Sequence, residues 1–543
     1  MSESRPTSPS LVGGPDVALV GPELEENLSL RYLCSALENA GHSTVILPLD
    51  GSGDVRGVRD AILRLQPRFV GLSLAFQWRA LDFFALAVAL REGGYAGRIV
   101  GGGHFSAFTW KEILTEFPEI DALCRYEAEG TLVALVEAED WSAVPGVALR
   151  AADGAPYETP LGSIPELSSL AWPDRRGDPV RCLGHNVASI VASRGCYARC
   201  AFCCIAAWHG RESTGVRFRV RRPEEVADEM AWLHHEKGTD IFIFHDDDFF
   251  VPGEGGLLRR LGSLADALEA RGLRRFVSVV KARPNDVRPE VFRLMRDRLG
   301  LNRLFLGIET DAAQGLGTLA RHVTREQNHA AMRVIDELGL YACFNLLVFD
   351  PDTTIASLED NLAFMDRYAH LPFNFGRAEL YAGTPLLERM QAEGRARGDW
   401  LGWDYRLHDP EIQRVFDLAM KVFYPRNFSA EAMANRLQGT RFDVEVAASL
   451  HADVWNPAWR SEAEALSHAL GTDSAARLRR IIAFVRRGAG DDAELVAAES
   501  AGLASVDQGI RARASALEAE VRRTVGADCR HSRPRLPLPG VSP

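Results

Sequence analysis

The chain has 543 residues, of which 46% are hydrophobic and 25% charged. At ~150 residues per domain that predicts two to four globular domains with full cores. Its net charge is −12. The acidic balance excludes a basic nucleic-acid-binding face as the main feature. The absence of any run of eighteen apolar residues excludes a membrane-spanning helix. Residues 1–14 carry no charged-then-apolar secretory signal and read as a flexible lead-in. The expected setting is therefore cytoplasmic.

Residues 15–140 alternate strand-like and helix-like patterns. Val17–Val20 is followed by Leu30, Leu33, Cys34 and Leu37 at helical spacing, with Gly41 placed to end the helix. Apolar runs recur at Thr44–Leu47, Phe69–Leu74, Arg98–Val100 and Ile120–Cys124. A helix between the third and fourth runs carries Leu81, Phe84, Ala85 and Val88 on one face. Repeats of this kind predict an α/β, doubly wound parallel sheet that binds ligands at the carboxyl ends of its strands. Residues 141–186 are rich in Pro, Gly and Asp and read as a linker, with a possible hairpin at Asp153-Gly154.

A second alternating series fills 187–400. Its strand candidates are Ser189–Ala192, Ile241–Phe244, Phe276–Val280, Leu304–Ile308, Ala342–Val348 and Phe375–Leu380. Six βα units predict a partial (β/α)6 barrel, open on one side, with its chemistry at the C-terminal ends of the strands. Residues 401–525 read as helical only, and 526–543 as a disordered tail.

The nine cysteines are odd in number, and four of them fall between Cys196 and Cys204. In a reducing compartment such crowding reads as metal or redox ligands rather than disulfides. Cys34, Cys124 and Cys343 lie in apolar segments and read as small buried hydrophobes. Cys196, Cys200 and Cys203 form C-x3-C-x2-C directly after the first strand of the second series. A zinc site would need a second pair or distant histidines. Three thiolates with one open position suit a 4Fe-4S cluster that also binds a small molecule.

That motif, with Phe202 before its last cysteine and a βα barrel around it, resembles the radical S-adenosylmethionine (SAM) superfamily. The resemblance implies that Cys196, Cys200 and Cys203 ligate the cluster while Cys204 does not. It also implies that SAM chelates the fourth iron and is cleaved to a 5′-deoxyadenosyl radical. Further residues follow from the same resemblance. Phe202 lies beside SAM, Asp247 in FHDDDFF meets its ammonium group, and Arg283 pairs with its carboxylate or with the Asp cluster. Glu309 in FLGIETD accepts from the ribose hydroxyls.

A doubly wound domain ahead of the barrel resembles the cobalamin-binding branch of that superfamily. The carrying features are Gly101-Gly102-Gly103-His104 and Ser73, 28 positions before Gly101. They imply a glycine-lined path for the cobalamin nucleotide tail. The cobalt-ligating motif D-x-H-x-x-G is absent: Gly21-Pro22-Glu23-Leu24-Glu25-Glu26 stands there. The implied function is a cobalamin-dependent radical SAM methyltransferase that moves a methyl group from methylcobalamin to a substrate radical. Its substrate is a small molecule, possibly carrier-bound, of the kind found in antibiotic biosynthesis, and its reducing partner a flavodoxin or ferredoxin. The alternatives are oxidative cyclisation or rearrangement by the same cofactors, and a non-catalytic cobalamin or redox sensor.

Overall fold

The structure is a computed structural model that describes residues 14–211, 217–488 and 490–527. The lead-in expected at 1–14 lies almost wholly outside the described residues, as do Cys529 and the tail from 528 onward. The chain divides into two compact units, one running to Arg176 and including 399–402, the other comprising the rest.

The first unit is built on a seven-stranded sheet. Its strands are β1 (Val17–Gly21), β2 (Thr44–Pro48), β3 (Phe69–Ser73), β4 (Arg98–Gly102), β5 (Ala122–Cys124), β6 (Val147–Arg150) and β7 (Pro156–Glu158). They lie in the order β2-β1-β3-β4-β5-β6-β7. The first five run parallel, and β6 and β7 add on antiparallel. Val17 and Leu19 of β1 pack with Leu30, Cys34 and Leu37 of the helix Leu28–Asn39, the face expected from their spacing. The helix Ala80–Glu92 differs from expectation: it buries Phe83, Phe84, Ala87 and Leu90 and leaves Leu81 exposed. Apolar residues occur on every side of that helix, so spacing alone could not select the inward face.

The stretch 141–186, read as a linker with a hairpin at Asp153-Gly154, does hold that hairpin, but both its ends belong to the sheets. Its first part forms β6 and β7, joined by a turn at Asp153-Gly154, and its end already belongs to the second sheet. Prolines are tolerated there because they sit outside the strands or at the first position of the edge strand β7.

The second unit holds β8 (Val180–Cys182), β9 (His185–Ile190), β10 (Ser193–Gly195), β11 (Phe218–Val220), β12 (Thr239–Phe244), β13 (Val277–Ala282), β14 (Leu301–Glu309), β15 (Tyr341–Phe349), β16 (Phe373–Arg377), β17 (Ala396–Asp399) and β18 (Gly402–Tyr405). Its main sheet runs β16-β15-β14-β13-β12-β9-β8. The strands β9 and β12 to β16 are parallel and in sequence order, giving the expected six-stranded partial barrel, and β8 closes one edge antiparallel. Crossover helices have clear boundary signals. Thr324 and Gln327 cap Arg325–Leu338 reciprocally, and Gly339 ends it in the left-handed region.

Alternation along the strands separates two cores. Phe242 and Phe244 pack with the crossover helices, while Ile241, Val277, Val279 and Cys343 pack with Met433, Leu437, Val446 and Leu466. Met433–Leu450, with parts of Pro457–Arg487 and Asp492–Val525, thus covers the sheet face that the crossover helices leave, while Pro410–Asn427 packs into the crossover-helix core. The region after 400 is not helical from its start: β17 and β18 form a short hairpin around it. Among the described residues no helix is long and apolar enough to cross a membrane.

Candidate functional site

The cysteine loop leaves β10 and ends where Cys204 begins the helix Cys204–Arg211. Gly195 turns the chain into this loop with φ +87°, and a Cβ there would fall 2.0 Å from the Arg217 carbonyl oxygen. Only glycine fits that turn. Below the loop, Asp246 is 1% exposed and accepts from the Ser193 hydroxyl and the Ala192 amide. Burial raises its carboxyl to about 6. It fixes the loop's entrance rather than facing a ligand. Asp247, in contrast, is exposed and accepts from the Gly195 amide at 3.2 Å.

The three thiols are free and sit at the carboxyl ends of the barrel strands. Cys196 Sγ lies 3.8 Å from Asp248 and accepts from the Ala198 amide at 3.4 Å. Burial pushes the Cys196 thiol up to about 12 and the Cys203 thiol higher still. Thiolates there need strong positive charge beside them, which iron supplies and which makes the donor set fit a cluster. Among the described residues no three His, Cys, Asp or Glu side chains gather closely enough for a single ion. Cys204 is likewise pushed up, to about 11, by burial. Phe202 is half-buried and packs on the barrel core.

Arg283 follows β13, where its charge opposes the raised carboxyl of Asp248 in the Asp cluster. It donates to Cys200 Sγ at 3.2 Å, to the Arg321 carbonyl and to Asn285. Arg321 donates to the same sulfur at 3.1 Å. Sequence reasoning missed Arg321, which stands 12 residues beyond Glu309 in no motif. It also missed Tyr197, whose hydroxyl donates to Asp286 at 2.7 Å and underpins the loop from the β13 side. Glu309 closes β14 at φ +64°. A side chain other than glycine in that region is strained by about 1–3 kcal/mol, a mark of functional positions. Burial raises its carboxyl while Arg321 and Arg283 oppose the shift. Gly307 makes room for this arrangement, since a Cβ there would lie 3.1 Å from Glu309 Oε1.

In the first unit, Ser73 ends β3 opposite Gly102 of β4. The three glycines differ in what they do. A Cβ on Gly101 would strike Leu123 and Leu74 at 2.6 and 2.7 Å, so its missing side chain serves core packing. Gly103 has φ +130°, and its Cβ would fall 2.7 Å from the Ala75 backbone. Gly102 alone has ordinary room, 3.5 Å from Cys124 Cβ. Gly102 and Ser73 are both half-buried, and the space beside Gly102 is of the kind a Cβ would fill. His104 begins the short helix His104–Phe108 beyond it.

Comparison with known proteins places a family on each unit. The B12-binding domain family matches residues 14–136 and the radical SAM superfamily matches residues 190–365. An anaerobic magnesium-protoporphyrin IX monomethyl ester cyclase of Cereibacter sphaeroides is 28% identical over 67% of this chain and 60% of its own length. A hopanoid C-3 methylase of Methylococcus capsulatus is 27% identical over 60% of this chain and 61% of its own. The chain therefore spans about three fifths of the length of these two relatives. The structure of OxsB, a cobalamin-dependent SAM radical enzyme, superposes with a TM-score of 0.67 at 16% identity, covering 94% of this chain and 84% of that one. At that identity the likeness is one of fold. The chain is a radical SAM enzyme, and with a B12-binding domain ahead of its barrel it belongs to the cobalamin-binding branch of that superfamily. Its cofactors are a 4Fe-4S cluster, SAM and cobalamin.

Proposed function

We propose that the protein is a methyltransferase that places a methyl group on an unactivated centre of a small molecule, a natural-product precursor either free or carrier-bound. The observation that carries this is the pairing of a C-x3-C-x2-C loop with a cobalamin domain whose first βα loop, Gly21 to Glu26, has no histidine. When bound, the cluster and SAM supply a 5′-deoxyadenosyl radical, and cobalamin supplies the methyl group. The chain's own residues hold these partners. Cys196, Cys200 and Cys203 bind iron. Asp247 and Phe202 flank SAM, and Glu309 accepts from its ribose, held by the Arg321 and Arg283 guanidiniums beside it. Arg283, beside Cys200, pairs with the SAM carboxylate. Ser73, Gly101, Gly102, Gly103 and His104 border the cobalamin tail, and of the glycines Gly102 faces it. A low-potential flavodoxin or ferredoxin supplies the electron.

A second reading, oxidative cyclisation, draws on the 28% identity to a cyclase. Anaerobic turnover with methyl-labelled SAM separates the two, since label enters the product only in methyl transfer. A non-catalytic sensor would release no 5′-deoxyadenosine at all.

A further inference from the structure

The end of the barrel where its parallel strands begin holds a histidine cluster that the chemistry at their carboxyl ends does not use. His185 opens β9, and Asp240 lies at the start of its parallel neighbour β12. His451 follows the helix Met433–Leu450 as its C-cap. All three belong to the second unit, yet 266 residues separate the two histidines. The His185 and Asp240 side chains are 22% and 26% exposed, so an ion reaches them from solvent.

Hydrogen bonding fixes how these groups face. His185 Nδ1 donates to Asp240 Oδ2 at 2.6 Å, which leaves a bare lone pair on Nε2 of the neutral ring. That nitrogen lies 3.1 Å from His451 Nε2, which lies 3.2 Å from the Leu183 carbonyl oxygen. A single proton on His451 Nε2 would have to be shared between two acceptors. With the proton on its Nδ1 instead, three lone-pair donors meet with no hydrogen among them.

The geometry of the pair is that of two ligands on one ion. Imidazole nitrogens about 2.0–2.1 Å from a tetrahedral zinc stand about 3.3 Å apart, close to the separation found here. The ring centres are 4.9 Å apart and the ring planes cross at 65°. A straight N–H···N bond of the same length would hold the centres about 5.4 Å apart. The pair is therefore bent. Asp240 also occupies the place, behind His185, of the carboxylate that metal-bound histidines hold on their second nitrogen. Its other oxygen lies 3.2 Å from His234 Nδ1. The carbonyl end of the helix adds partial negative charge at His451, although Arg275, donating to the Ser449 carbonyl at 3.1 Å, offsets part of it.

We propose that His185 Nε2, His451 Nε2 and the Leu183 carbonyl hold a divalent transition-metal ion of the kind that prefers imidazole, zinc above all, with water completing its shell. Only two of these ligands are side chains, so the affinity depends on how firmly Asp240 orients His185. The ion ties the turn between β8 and β9 to the end of the helix that covers the sheet. It is a structural staple between the C-terminal helices and the barrel, at the opposite end of the strands from the cysteine loop, and it does not depend on the methyl-transfer reading.

The test uses the full chain with its cluster reconstituted first, so that iron occupies Cys196, Cys200 and Cys203, then dialysed anaerobically against buffered zinc. Bound zinc and iron are counted by mass spectrometry, and the thermal midpoint is followed with and without zinc. The wild type should take up one zinc beside its iron and melt at a higher temperature with it, since an ion bound only to the folded chain stabilises it. His185→Gln and His451→Gln keep a hydrogen-bonding amide at each position. Each should lose the zinc and the zinc-dependent rise, with iron content unchanged. Asp240→Asn should weaken zinc binding by about 10–100-fold, the usual cost of removing the partner behind a ligating histidine. His370→Gln, which removes another partly exposed histidine paired with an aspartate, should change neither readout. Uptake by the wild type and the Asp240→Asn shift are read without either ligand variant having to fold. A wild type that takes up no zinc once its thiols are occupied, zinc retained by both ligand variants, or an Asp240→Asn chain that binds as tightly as the wild type would overturn the proposal and leave the pair as a plain hydrogen bond.

Discussion

Three cysteines of one loop bear the first prediction. Cys196→Ala, Cys200→Ala or Cys203→Ala should each abolish cluster assembly, measured as iron and sulfide content after reconstitution, because the loop has no other soft donor in register. Cys204→Ala should retain the cluster. It starts a helix, and its backbone is committed to that turn. Iron lost from Cys204→Ala, with Cys203→Ala harmless, would reverse the assignment. Glu309 offers a second test at this scale. Glu309→Gln should weaken SAM binding by about 1–2 kcal/mol, the worth of one charged hydrogen bond, and leave the cluster spectrum unchanged. Glu309→Gly removes the same acceptor and also relieves the φ +64° backbone. It should lose SAM affinity without a fall in the urea midpoint. If SAM titrates equally well in both variants, Glu309 serves the fold alone.

At the scale of elements, the glycine run after β4 separates ligand from architecture. Gly102→Val should fold and lose cobalamin, since its Cβ has ordinary room. Gly103→Val should instead destabilise the first unit itself, since it combines a forbidden φ with a backbone collision. Urea unfolding beside cobalamin uptake distinguishes the two, and equal stability losses would mean that Gly102 also serves packing. The sequence made the βα order legible because period and length agree in these strands and helices. Within 141–186 it did not show that the Asp153-Gly154 hairpin joins the first sheet, because Pro and Gly punctuate edge strands as readily as linkers. The cluster ligands were readable because their spacing is local. Arg321 and Tyr197 were not, because each acquires its meaning from a neighbour distant in sequence.

Over the whole molecule, the C-terminal helices are joined through Arg426, which is fully buried. It pairs with Asp473 and Asp507, each at 2.8 Å, and donates to Ser474 at 2.8 Å. Arg426→Ala would strand Asp507, while Asp473 keeps its pair with Arg477, and should destabilise the second unit by about 3–5 kcal/mol. Arg426→Met, which also leaves Asp507 unpaired but fills the space, should recover only the packing part of that loss. Denaturant midpoints of both variants measure the difference.

The central claim, that radical SAM and cobalamin chemistry serve methyl transfer in one chain, can be tested before the substrate is known. Reconstituted, cobalamin-loaded protein is incubated anaerobically with a reductant and SAM carrying a deuterated methyl group, and the extracted corrin is weighed by mass spectrometry. The account predicts that the deuterated methyl appears on the corrin with S-adenosylhomocysteine as co-product. A corrin that stays unlabelled while 5′-deoxyadenosine accumulates would contradict it.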